Sequence, residues 1–298
     1  MILTETLISK PSLLPKRLKP PIFIIGCVRS GTTLLLHCLS KHKRIYSVKN
    51  ETYLFVRYTV ESFLFFERFE EEKNFEKLLL SILTKMFYTE SNTCKLIRVN
   101  NFPPDIIQKF KIIHQLPEFK DINNKYEVFN LCAYYFTAQE NKKRWVEKTP
   151  NNIHNTDFTL SLYPDAKFVE IYRDPRAVSL SWINAEYSFF KSSNIIECIL
   201  TWNQAIKKGE QLIKKMPKQY YRLKYEDLIN NPECELKKVC AFIDEEFDPK
   251  MLGVNTVETF FPDTKIRGWE LSSRSRGWTC SQEEILGRTD VTVACCIP

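Results

Sequence analysis

Ten cysteines are present, yet they form no C-x-x-C pair and no metal-ligand spacing. Cys27 and Cys38 flank one short helical stretch, Cys295 and Cys296 are adjacent, and the rest are isolated, a pattern that fits free thiols in a reducing compartment. The histidines, His37, His42, His114 and His154, make no metal-binding pair either, so no metal is expected. The net charge of +7 is spread along the chain without a block of lysine and arginine that would read as a tail or polybasic anchor. A solvated basic surface is expected, with no nucleic-acid partner, and an anionic small ligand stays open. The opening stretch MILTETLISKPSLLPKRLKPP has two short apolar patches broken by Pro11 and Pro15, which suits neither a signal-peptide core nor a membrane span. It reads as a surface arm over residues 1–20, and the protein as cytoplasmic. There is no internal repeat, linker or low-complexity segment, so the remaining 21–298 reads as one domain.

What is there begins with IFIIGCVRSGTTLLLHCLSKH. Ile22 to Ile25 is a short apolar run of the kind that forms a parallel strand buried on both faces, and Gly26 ends it. From Thr32 onward Leu34, Leu35, Cys38 and Leu39 recur at helical spacing, so the loop presents backbone N–H groups at a helix N-terminus, where anions bind. Gly26 and Gly31 have the spacing of a phosphate loop, but Thr32 stands where a nucleotide triphosphatase places its lysine. No acidic strand end for magnesium is evident. A structural turn with no ligand is the plainer alternative.

Further along, RWVEKTP, DAKFVEIYRDPRAVSLSW and YYRLKYEDLINNPECELKKVCAFI each run from an apolar strand to a polar loop, and Asp174 and Pro175 suit the N-cap and first turn of a helix. Strands alternating with helices predict an α/β fold with a central parallel sheet flanked by helices, whose strand ends share one crevice. Residues 52–143 read as mostly helix and loop, a variable region suited to shaping a substrate pocket. Arg173 directly follows the strand KFVEIY, and Ser181 lies eight residues later, close enough to close an arginine and a hydroxyl around a second phosphate. An ion pair of Arg173 with Asp174 or Glu170 is the structural alternative.

These segments resemble the sulfotransferases that use 3′-phosphoadenosine 5′-phosphosulfate (PAPS), most of all the tyrosylprotein sulfotransferases and their bacterial relatives. The resemblance rests on GCVRSGTTLL and YRDPRAVSLSW, supported by NETYLF, VEKTP and YEDLINNPE, and runs from about Pro21 to Leu252. It implies a P-loop-type domain that transfers a sulfuryl group to a hydroxyl acceptor, such as a tyrosyl peptide, carbohydrate, alcohol or phenol. Adenosine 3′,5′-bisphosphate (PAP) would remain, and no metal would be needed. The resemblance assigns the phosphosulfate to Arg29, Ser30, Gly31, Thr32 and Thr33, with Arg29 also catalytic. It assigns the 3′-phosphate to Arg173 and Ser181 and a nucleotide contact to Tyr225. Glu51 would be the general base and Lys148 would neutralise the bridging oxygen. The plainer readings are a surface charge for Glu51, an ion pair with Glu147 for Lys148 and a core position for Tyr225; His154 is the alternative base. A phosphotransferase or a nucleotide-binding module that has lost turnover are the rival functions. Ala185 replaces an arginine some relatives carry. Residues 253–298 read as an atypical end in which Arg267, Arg274 and Arg276 are candidates to complete the 3′-phosphate site.

Overall fold

A computed structural model describes residues 18–56, 74–87, 105–183 and 194–253. Its centre is a fully parallel sheet of five strands: β1 (Ile22–Gly26), β2 (Ile45–Ser47), β3 (Arg144–Lys148), β4 (Lys167–Tyr172) and β5 (Tyr220–Lys224), in the order β2-β3-β1-β4-β5. β1 is entirely buried because helices cover both faces. Alternation along the strand sends Phe23 and Ile25 to one face and Ile22 and Ile24 to the other, and each pair joins a separate apolar cluster.

On the Phe23 face lie α2 (Phe75–Phe87), α3 (Ile106–His114), α4 (Lys125–Gln139), α5 (Thr156–Leu162), α6 (Pro175–Ile183) and α7 (Ile195–Lys215). α1 (Thr32–Ser40), α8 (Tyr225–Asn230) and α9 (Pro232–Phe242) cover the opposite face. The region expected to be mostly helical does supply α2, α3 and α4 where it is described; residues 57–73 and 88–104 lie outside the described set, as do 184–193, with Ala185, and 254–298, with Arg267, Arg274 and Arg276. Among the described residues no helix is long and apolar enough to cross a membrane.

Two devices tie the flanking chain to the sheet. At the N-terminal ends of the strands, Arg144 is 1% exposed and donates to the backbone oxygens of Pro20 and Ile243. Beside it the buried Glu245 carboxylate meets Lys19 Nζ at 2.9 Å and Arg44 Nε at 2.9 Å, so the chain entering β1, the chain entering β2 and the end of α9 are tied together. On the Phe23 face of β1, Phe55 packs edge-on against Phe23 with ring centroids 5.2 Å apart, which docks the segment after β2 on the sheet.

The strand order puts β1 between β3 and β4, reached by connections that leave in opposite directions. A crevice therefore opens at its C-terminal end, the place where open α/β sheets take ligands.

Candidate active site

β1 ends on Gly26, whose φ of 145° and close approach to the Ile171 carbonyl leave no room for a Cβ. The chain then turns through Arg29 (φ 68°) and Gly31 (φ 99°) into α1, as the glycine spacing predicts. Successive N–H groups in such alternating backbone form an anion-accepting concavity. A side chain at Gly31 would run into the Tyr225 ring at the start of α8. Tyr225 in turn carries the Arg173 guanidinium 4.2 Å above its ring centroid, so the loop, Tyr225 and Arg173 form one stack.

The structural alternatives for Arg173 are occupied elsewhere. Asp174 holds Arg176 at 2.7 Å, which keeps its carboxyl below the usual range, and Glu170 holds Arg222 at 2.5 Å. Arg173 Nε is buried and makes no hydrogen bond among the described residues, while its carbonyl accepts from Trp202 Nε1 at 2.9 Å. Arg29 reaches across to α6, its Nε donating to Ser181 Oγ at 3.1 Å. That contact spans 152 residues of sequence and joins the loop to the serine of the second motif. Ser30 is fully buried; its hydroxyl leans on the Cys27 thiol without completing a hydrogen bond of normal geometry. Thr32 is buried and Thr33 half-buried, so of the two threonines Thr33 offers its hydroxyl more openly.

On the other side of β1, Lys148 stands opposite Ile24 in the register between β1 and β3. It does not pair with Glu147. It pairs with Glu51, 97 residues away, whose second oxygen accepts from Tyr53 OH at 2.7 Å. Lys148 is nearly buried while the Glu51 side chain keeps 27% exposure, so one face of the carboxylate is open. His37, on α1, is held far toward its neutral form, at about 4, by burial and by the charge of Lys148. His154 keeps an exposed edge on the 3₁₀ turn Pro150–Asn155; partial desolvation of its ring and the nearby Lys208 lower its pKa, and no hydrogen bond or ion pair joins it to Glu51 or Lys148 among the described contacts.

Glu147 was legible only as a rival partner for Lys148. The structure gives it a different place: fully buried, it accepts from Thr52 Oγ1 at 2.9 Å, Thr149 Oγ1 at 2.5 Å and Asn152 Nδ2 at 2.9 Å. Burial still pushes its carboxyl from 4.5 up to about 7 against those donors. The folded chain therefore keeps this proton to higher pH than the unfolded chain does. The contribution is full below about 4.5 and is lost as pH rises through about 7. Glu147→Gln should flatten this part of the stability profile, an outcome read from urea midpoints of both proteins across that window.

A parallel α/β sheet with a glycine-turned loop after its central strand, and with basic and hydroxyl side chains at the adjoining strand ends, defines a P-loop-type α/β domain. The chain belongs to the sulfotransferase family, whose model matches residues 20–249. It is 34% identical to a putative protein-tyrosine sulfotransferase of Caenorhabditis elegans over 30% of this chain and 36% of that protein. It is 23% identical to the omega-hydroxy-beta-dihydromenaquinone-9 sulfotransferase of Mycobacterium bovis over 74% of this chain and 61% of that one. The chain thus spans less than two thirds of the length of these curated relatives. Its fold is similar to the sulfotransferase domain from the curacin biosynthetic pathway, with a TM-score of 0.54 at 19% identity over 84% of this chain and 82% of that one. The sulfotransferase domain from the Synechococcus PCC 7002 olefin synthase is similar to the same degree, with a TM-score of 0.54 at 20% identity over 84% and 83%.

Proposed function

We propose that this chain transfers a sulfuryl group from PAPS to a hydroxyl acceptor. The observation that carries the reading is the Glu51–Lys148 couple at the C-terminal end of β3, beside the turned loop: a carboxylate with one open face next to an ammonium. In-line sulfuryl transfer needs those two groups, a base for the acceptor proton and a cation for the departing oxygen. The loop N–H groups, that of Gly31 among them, and the Thr33 hydroxyl hold the 5′ end of the donor, with Ser30 and Thr32 buried behind them. Arg173 and Ser181 take the 3′-phosphate, and Tyr225 braces Arg173 from below. Arg29, set against Ser181 in the structure, works between the two phosphates and moves toward the sulfuryl when donor is present. The relatives' names point to a tyrosyl protein in one case and a hydroxylated menaquinone in the other. The hydroxyl group is what those acceptors share, so the acceptor class proposed here is a hydroxyl compound, with tyrosyl peptides the first to try.

PAP should stabilise the fold without a divalent metal, and ATP, which has no 3′-phosphate, should stabilise it less. Arg173→Ala should remove most of that difference, since losing a charge-assisted hydrogen bond is worth about 1.5–3 kcal/mol. Thermal shifts with each nucleotide, followed by transfer of label from PAPS to a panel of hydroxyl acceptors, test the reading. A larger, magnesium-dependent shift with ATP would favour a phosphotransferase instead.

A further inference from the structure

We propose that Glu147 is a positioning residue: its buried carboxylate is the brace that holds Glu51 and Lys148 in register while each engages its own partner. The inference rests on the reading above. A direct ion pair cannot do this job during turnover, because the base must turn to the acceptor proton and the ammonium to the departing oxygen. Once both are engaged, whatever keeps them apart by the right distance has to act through the chain behind them.

That chain converges on one carboxylate. Glu147 Oε1 takes the Thr52 N–H at 3.3 Å, the Thr52 hydroxyl at 2.9 Å and the Thr149 hydroxyl at 2.5 Å, while Oε2 takes Asn152 Nδ2 at 2.9 Å. Thr52 is the residue after Glu51, and Thr149 the residue after Lys148. The two hydroxyls are themselves acceptors: Leu54 N–H points to Thr52 Oγ1 at 3.5 Å and Tyr53 N–H to Thr149 Oγ1 at 3.4 Å. Each hydroxyl proton is thereby turned toward Glu147, and the direction of donation runs from the backbone of residues 52–54 into the carboxylate.

The same tie accounts for Tyr53. Its φ of 54° is a left-handed conformation unusual for a residue with a large side chain, and it is held there by its N–H on Thr149 while its hydroxyl rests on Glu51. The position of Glu147 in the strand is informative as well. A parallel strand covered on both faces ordinarily buries apolar groups, and an ionisable group there is unfavourable unless its hydrogen bonds are met. Three residues meet them here, and all three, Thr52, Thr149 and Asn152, are 1% exposed or less.

Glu147→Gln keeps the shape of the side chain and can still accept at the Oε1 position, but above about pH 7, where the native carboxyl is ionised, it lacks the charge that strengthens such bonds, so the comparison is made at about pH 8. In this variant amide hydrogen exchange at Thr52 and Tyr53 should quicken at least tenfold while β1 and β4 amides keep their protection. PAP affinity should stay within twofold of wild type. Turnover should fall by about 10–100-fold with little change in the acceptor KM, the signature of misplaced rather than missing groups. Thr149→Val should show the same pattern more mildly, and Thr149→Ser should restore both exchange and turnover. Unchanged exchange at Thr52 and Tyr53, or full turnover in Glu147→Gln, overturns the brace. A wild-type protein that transfers to no hydroxyl acceptor would sink the sulfuryl reading, and the exchange measurement would still decide the brace.

Discussion

Glu51→Gln is expected to reduce turnover by about 10²–10⁴-fold while PAP binds nearly as before, because an amide keeps the shape of the carboxylate but cannot take a proton as a base. The geometry sharpens this expectation. One Glu51 oxygen faces Lys148 and the other Tyr53, and the side chain retains 27% exposure through which an acceptor hydroxyl can approach. A more acidic hydroxyl needs less help, so phenols of rising acidity should recover part of the lost rate in the Glu51 variant. Steady-state rates over a series of substituted phenols, with PAP affinity from calorimetry, check both halves. Near-normal turnover of folded Glu51→Gln with a weakly acidic acceptor would remove Glu51 as the base. The exposed position of His154, beside Lys208, gives that residue no ready claim to the role.

Lys148→Met should lower turnover by about 10²–10³-fold for a different reason: charge grows on the leaving oxygen only as its bond to sulfur breaks, so the lost contact belongs to the transition state. The expected mark of that role is uniformity. Every phenol in the series should slow by a similar factor, since acceptor acidity does not repair a poorly stabilised leaving group. The ion pair adds a second consequence, because removing the ammonium leaves Glu51 with Tyr53 as its remaining partner of the two. A Lys148→Met protein rescued by acidic phenols as strongly as Glu51→Gln would place Lys148 with the base rather than with the leaving group.

The parts of the site that were legible in the sequence are those carried by local pattern. An apolar run ending in Gly26 announces β1 and its loop, and Asp174–Pro175 announces α6, because strand period, glycine conformation and helix-start chemistry are all written within a few residues. Motif order assigned Glu51 and Lys148 to one site, but nothing local says that they touch; their contact depends on how the chain after β2 returns to β3, through Phe55 on Phe23 and Val48 N–H on the Val146 carbonyl. Glu147 entered only as the plainer alternative partner for its neighbour Lys148, and its true partners were hidden for the same reason. In a strand, adjacent side chains point to opposite faces, so the residue best placed to meet Glu147 came from the segment 95 positions earlier and from the turn that follows. The Arg29–Ser181 contact was out of reach in the same way, since it is set by β4 lying beside β1 and not by either motif alone.

The ion cluster of Arg144, Glu245, Arg44 and Lys19 sits at one rim of the sheet, and none of its side chains belongs to the constellation at the other rim. The anchoring of the chain entries and the constellation at the crevice therefore draw on separate sets of residues, spaced apart by the length of a strand. A lineage carrying this fold can exchange residues around the crevice, trading one acceptor for another, with the anchoring of its chain entries left intact. The reverse also holds: hardening the anchored rim leaves the reactive one free to keep its strained turns.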